Sequence, residues 1–109
     1  EAPGFGMLLG FGIGGVNVEL WKDVVFRVHP LTDVDAREMP EQIRGRALLE
    51  GFRGAPPADK EAIVSTILRV DRMVGENPEI RELDLNPLIA LPPGRGVVAI
   101  DARIRVEPR

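Results

Sequence analysis

The chain has 109 residues, no cysteine, 14 lysines and arginines against 17 aspartates and glutamates, and a formal net charge of -3. That length allows one domain with a core of its own, and the missing thiols exclude disulfide scaffolds, zinc ribbons, thiol catalysis and Fe–S ligation. The acidic balance argues against electrostatic binding to nucleic acid or anionic membrane, and one Trp, four Phe and no Tyr leave no base-stacking surface.

Residues 5–11 are a short apolar run broken by glycine and read as a buried strand. The cluster Gly10-Phe11-Gly12-Ile13-Gly14-Gly15 follows. Residues 16–21 alternate, with Val16, Val18 and Leu20 on one face. After the polar break Lys22-Asp23, residues 24–29 alternate again, with Val24, Phe26 and Val28 on one face and Val25, Arg27 and His29 on the other. These two runs read as a hairpin. Pro30-Leu31-Thr32 ends the strand. Thr32 is a good N-cap for a helix whose first turn carries Asp33 and Asp35, where acidic groups complement the helix dipole. Pro40 should kink or split that helix, Arg44-Gly45 closes it, and residues 48–52 suggest one further helical turn. The loop Arg53-Gly54-Ala55-Pro56-Pro57 leads to the clearest helix. Asp59 is its N-cap, Ile63, Val64, Ile67, Leu68, Val70 and Val74 form its apolar stripe, and Gly75 is placed to end it. Two more strands, 80–91 and 97–106, are joined by the turn signature Pro92-Pro93-Gly94-Arg95-Gly96.

This order predicts a single α+β domain over residues 1–109, an antiparallel β-sheet with helices packed on one face. No stretch approaches the roughly 18 apolar residues of a membrane helix. Glu1-Ala2-Pro3-Gly4 lacks the basic start of a signal peptide, so a cytoplasmic protein is expected. Without an initial Met, the chain reads as a piece of a longer one.

Gly10, Gly12 and Gly15 fit the spacing G-x-G-x-x-G. A dinucleotide fingerprint must open a helix, and the β-branched alternation of residues 16–21 rejects that reading. A plain connection, which the spacing favours, and a turn that brings backbone N–H groups close to a phosphate both stay open.

Glu82, Asp84 and Asn86 alternate with Leu83 and Leu85, so three oxygen-bearing side chains share one strand face. With a two-residue Pro93-Gly94 turn, Asn86 faces Asp101 and Asp84 faces Arg103; a one-residue slip would separate Asn86 from Asp101. Two carboxylates and an amide oxygen suit Mg²⁺, a hard cation that takes few protein ligands and completes its shell with water and phosphate oxygens. The alternative is a solvated outer face on which Asp84 and Arg103 form a surface ion pair worth little. With one His and no Cys, no Ser-His-Asp or Cys-His set can be built.

Glu82-Leu83-Asp84-Leu85-Asn86-Pro87-Leu88, followed by Ala99-Ile100-Asp101-Ala102-Arg103, resembles the end of the ATP-grasp domain in nucleoside-diphosphate-forming acyl-CoA synthetases. That family includes ADP-forming acetyl-CoA synthetase and, more distantly, the succinyl-CoA synthetase β subunit. The resemblance covers nearly the whole chain. Residues 5–11 with Gly12-Ile13-Gly14-Gly15, Glu19, Asp23-Val24-Val25-Phe26-Arg27, Pro30-Leu31, Arg44-Gly45 and residues 51–59 fall in the family's order.

The resemblance implies the C-terminal subdomain of an ATP-grasp domain. It implies Asn86 and Asp101 as Mg²⁺ ligands, with Asp84 in the place of the carboxylate two residues before the Asn. Gly14, Gly15, Glu19 and Arg27 then lie on the phosphate side of bound ATP/ADP. The implied partners are the N-terminal half of the ATP-grasp domain and CoA-binding domains or a CoA-binding subunit, with no nucleic acid and no membrane. The implied reaction converts acid, CoA and ATP reversibly to acyl-CoA, ADP and phosphate, and the isolated fragment is expected to be inactive. Pro40 departs from the family, and His29 stands where a small residue is more usual. His29 reads as an incidental strand residue, because the family's relay histidines belong to parts that no segment here matches. The lysine and hinge on the adenine side also have no match. The alternative is a non-catalytic α+β binding module, separated by whether Asp84, Asn86 and Asp101 act together. A different ATP-grasp ligase is a third reading; residues 53–57 and Phe26-Arg27 favour the CoA-ligase branch.

Overall fold

Strand β1 (Leu8–Gly12) runs antiparallel to β2 (Val24–Val28), with Leu8 opposite Val28 and Gly12 opposite Val24, in a computed structural model that describes residues 7–12, 23–51, 56–85 and 88–107. Leu9, Phe11 and Val25 turn onto the helices, whereas Leu8, Val24, Phe26 and Val28 are exposed. Close approach demands glycine at two positions. A Cβ on Gly10 would meet the Phe26 ring at 2.8 Å, and one on Gly12 would meet the Asp23 carbonyl oxygen at 2.5 Å. Residues 16–21, the partner expected for β2, lie outside the described residues; the strand seen to pair with it is β1.

Helix α1 (Asp33–Gln42) opens with a capping box: the Thr32 hydroxyl accepts from Asp35 N at 3.1 Å, and the Asp35 carboxylate accepts from Thr32 N at 2.9 Å. Pro40 does not split the helix. It is buried next to Met39 near the C-terminal end, and the helix stops two residues later, so only one turn runs without the missing N–H. The short helix α2 (Arg46–Leu49) follows directly on Arg44-Gly45, earlier than residues 48–52 suggested.

Helix α3 (Lys60–Glu76) overruns its expected end. Gly75 lies in its last turn rather than capping it, and a Cβ there would sit 2.8 and 2.9 Å from two atoms of the His29 ring. The helix is closed by Asn77, whose side-chain amide donates to Met73 O at 2.9 Å. The predicted stripe lines two apolar clusters. One joins Ala36 and Met39 of α1 to Ile63, Val64 and Ile67; the other joins Leu9 and Ile80 to Val74. Between them, on the same face, Asp71 is buried.

The last hairpin follows. β3 (Ile80–Leu85) pairs with β6 (Ala102–Val106), and β4 (Leu88–Ala90) pairs with β5 (Val97–Ala99). Asp84 opposes Arg103, Leu85 opposes Ala102 and Leu88 opposes Ala99, the register that a Pro93-Gly94 turn demands. The turn is closed by Arg95 N donating to Pro92 O, with Gly94 at φ +82°. The second long strand predicted from sequence is interrupted, because Ile100 and Asp101 lie between β5 and β6. The inward side also changes along the ribbon. Leu83 packs on the second cluster, whereas Ala90 and Val97, of the opposite parity, pack on the first and leave Ile89 and Val98 exposed. Two-stranded ribbons twist strongly, so one period-two pattern does not hold a single face against a straight helix. The whole is α+β, with antiparallel strand pairs and helices against their inner faces, as expected.

A helical Gly→Ala change normally stabilises by about 1 kcal/mol. At Gly75 the sign should reverse, because the imaged methyl meets an imidazole that Asp71 holds at 2.6 Å. Gly75→Ala should cost about 1–3 kcal/mol in denaturant melts and become stabilising in a His29→Ala background.

Candidate functional site

Asp84 is exposed on β3, directly opposite Arg103, and Asp101 is exposed just before β6, two residues from Arg103. Leu83 and Leu85, which alternate with the exposed Glu82 and Asp84, are half-buried, and Leu83 packs on the second cluster. The Asp84 side chain has no hydrogen bond or ion pair among the described residues. Asp101 accepts from its neighbour Ala102 N at 2.9 Å, and its other oxygen lies 3.9 Å from Arg103 Nε. Arg103 therefore leans to Asp101, not to the directly opposed Asp84 expected from sequence. Both groups are more than half exposed, at 83% for Arg103 and 57% for Asp101, so the contact leaves the carboxylate open. Asn86, the third candidate, lies outside the described residues, as do Gly14, Gly15 and Glu19. Among the described residues, no group of three or more His, Cys, Asp or Glu side chains forms a metal cage. Two open carboxylates, two residues apart across the register, fit a Mg²⁺ that keeps water and phosphate oxygens in its shell.

Arg27 is turned the other way. On the inner side of β2, its guanidinium donates to the Gln42 side chain and to Phe26 O, and stands 3.9 Å from both Asp35 and Glu38 on α1. His29 is not incidental. Its Nδ1 donates to Asp71 Oδ1 at 2.6 Å, and the same oxygen accepts from Leu31 N at 3.1 Å. The pair ties the end of β2 to α3. Asp71 was missed from sequence, although one signal was present: a carboxylate four residues after Ile67 and three before Val74, within the apolar stripe.

Two further aspartates tie separate elements together. Asp23, read as part of a polar break, is buried and accepts from Arg44 N at 2.5 Å and Gly45 N at 2.7 Å. Asp59 does more than cap α3. One oxygen accepts from Ala62 N at 3.1 Å, and the other accepts from Gly94 N at 3.0 Å and Gly96 N at 2.8 Å in the hairpin turn. The Gly96 N–H, followed by those of Ala62 and Gly94, holds the Asp59 carboxyl below its ordinary value of 3.8, against the opposing effect of burial.

With this geometry in view, residues 1–106 match the sequence profile of a family described as ATP-grasp domain. The chain belongs to the ATP-grasp family. This ATP-grasp chain is 47% identical over 105 residues to the β subunit of acetate–CoA ligase [ADP-forming] II of Pyrococcus furiosus, covering 95% of this chain and 44% of that one. It is 46% identical over 109 residues to acetate–CoA ligase [ADP-forming] II of Archaeoglobus fulgidus, covering all of this chain and 16% of that one. Among solved structures, it superposes with a TM-score of 0.88 and 48% identity on a Candidatus Korarchaeum cryptofilum acetyl-coenzyme A synthetase in complex with coenzyme A and Mg-AMPPCP, covering 97% of this chain and 49% of that one. It also superposes with a TM-score of 0.89 and 41% identity on a crystal structure from Pyrococcus horikoshii, covering 100% and 46%. The ATP-grasp chain thus spans about half the length of this β subunit and of the two solved chains, and about a sixth of the longer ligase. No described helix is long and apolar enough to cross a membrane.

Because the folded Asp59 carboxyl titrates below the unfolded value, its stabilisation is complete above about pH 4 and is lost as pH falls through the folded value. Thermal melts from about pH 5 to pH 2 should therefore decline more steeply for the native protein than for Asp59→Asn.

Proposed function

We propose that this chain is the metal- and phosphate-binding half of the ATP-grasp domain of an ADP-forming acid–CoA ligase, the C-terminal half of that domain. The enzyme would convert acid, CoA and ATP reversibly to acyl-CoA, ADP and phosphate in the cytoplasm. The observation that supports it most is the presence of two exposed carboxylates, Asp84 and Asp101, in the last hairpin of a chain 47% identical to an ADP-forming acetate–CoA ligase subunit. On this reading Asp84, Asn86 and Asp101 hold Mg²⁺. Gly14 and Gly15 offer backbone N–H groups to the nucleotide phosphates, beside Glu19 and Arg27. Bound Mg²⁺ supplies neutralisation of charge on the transferring phosphoryl group, the main demand of such chemistry. Asp84 and Asp101 would hold the ion, and Arg27, held in the free chain by Gln42, Asp35 and Glu38 of α1, would exchange those partners for a phosphate oxygen. The other wall of the nucleotide cleft and the CoA site belong to partners: the N-terminal half of the domain and CoA-binding domains or a CoA-binding subunit.

In the complete enzyme, Asp101→Ala and Asn86→Ala should each cut turnover about 100-fold or more while leaving the melting temperature nearly unchanged. Paired kinetics and melts decide it. Near-normal turnover in both would return these residues to the solvated face and favour the non-catalytic module. His29, committed to Asp71, should not carry phosphate. His29→Ala should retain enzyme labelling from γ-labelled ATP, yet lose about 1–3 kcal/mol of stability because Asp71 keeps its burial and loses a donor.

A further inference from the structure

Asp59 uses two oxygens for two tasks. A helix N-cap needs one acceptor, and here Oδ1 fills that role with Ala62 N at 3.1 Å; serine or threonine would serve there equally well. The second oxygen serves the hairpin turn, 35 and 37 residues further along the chain, where Gly94 N and Gly96 N converge on it at 3.0 and 2.8 Å. Both glycines hold positive φ, +82° and +85°, which aims their N–H groups into one concavity. Asp59 N completes the clasp by donating to Leu91 O at 2.7 Å.

The hairpin is therefore fixed at two places. Its open end is fixed by Ile80 and Leu83 in the second cluster and by Glu107 N donating to Glu79 O at 2.9 Å; its tip is fixed by Asp59. Asp101 lies between the two ladders, exposed and outside both clusters, so its place follows from how β5 is held relative to β6. We propose that Asp59 is a positioning residue for the metal-binding carboxylates: by clasping Gly94 and Gly96 to the start of α3, it sets the β4–β5 ladder and hence where Asp101 stands relative to Asp84. This inference rests on the reading of Asp84 and Asp101 as metal ligands.

The test is Asp59→Ser in the complete enzyme, which keeps an N-cap acceptor and removes the oxygen that holds the turn. Amide exchange at Gly94 and Gly96 should accelerate while the first turn of α3 stays protected. The apparent activation constant for Mg²⁺ should rise about 10-fold or more, the scale on which groups that orient metal ligands act. Turnover at saturating Mg²⁺ should stay within about twofold. If Asp59→Ser does not fold, Gly96→Ala disturbs the same clasp without touching α3, since a side chain there meets nothing within 4 Å and is strained only by its φ of +85°. Faster exchange at both glycines with an unchanged Mg²⁺ constant would overturn the proposal. Asp101→Ala, run in parallel, separates the two failures: if it retains Mg²⁺-dependent turnover, the metal reading itself falls, whatever Asp59 does.

Discussion

Buried carboxylates facing backbone N–H groups hold the strands of this chain to its helices. Asp23, Asp59 and Asp71 are the buried charged side chains among the described residues, and each bridges two elements. Asp23 joins the start of β2 to the Arg44-Gly45 corner, Asp71 joins its end to α3, and Asp59 joins α3 to the last hairpin. Removing a carboxylate from water is costly, and charge-assisted bonds from two or three N–H donors offset that cost. Apolar contact alone is non-directional, and it would leave β1–β2 and the hairpin free to slide over the Ile63–Val64–Ile67 surface. The aspartates supply the direction.

That arrangement separates the polar groups already used by the fold from those left open. Arg27, His29, Asp23, Asp59 and Asp71 are each engaged with a neighbouring element. Asp84 and Asp101 are not engaged in this way: Asp84 stands on β3, and Asp101 stands between β5 and β6. Among the described residues Asp84 has no ion pair and Asp101 has only an exposed 3.9 Å contact with Arg103, which leaves both carboxylates open to an external cation. On the proposed function, a divalent ion would take up the carboxylates that the fold leaves open.

Local chemistry made much of this readable. Thr32 with Asp35, Asp59 before an apolar stripe, and Pro93-Gly94 between two alternating runs each carry their own signal within a few residues, and the helix starts and hairpin register followed from them. What escaped depended on distant partners. Gly75 has the composition of a helix end but serves a contact with His29, 46 positions earlier in the chain. Asp71 reads as a flaw in a stripe until His29 and Leu31 are placed beside it. The change of inward side between Leu83 and Ala90 comes from ribbon twist, which a flat period-two reading does not contain. In the candidate site, the placing of Asp84 opposite Arg103 was legible, whereas the lean of Arg103 to Asp101 was not, because side-chain choice on an open surface is not a property of register.

The crowding of His29 against Gly75 also bears on how such a chain can change over generations. Where position 29 is small, position 75 is free to carry any helix-favouring side chain. Once an imidazole is seated there, with Asp71 holding its ring, a Cβ at 75 has 2.8 Å in which to fit. The passable route therefore has an order: the side chain at 75 is lost first, at a small expense in helix propensity, and only then is histidine accepted. From that point a side chain returns to 75 only after the imidazole at 29 is lost, so the two sites change in a fixed order.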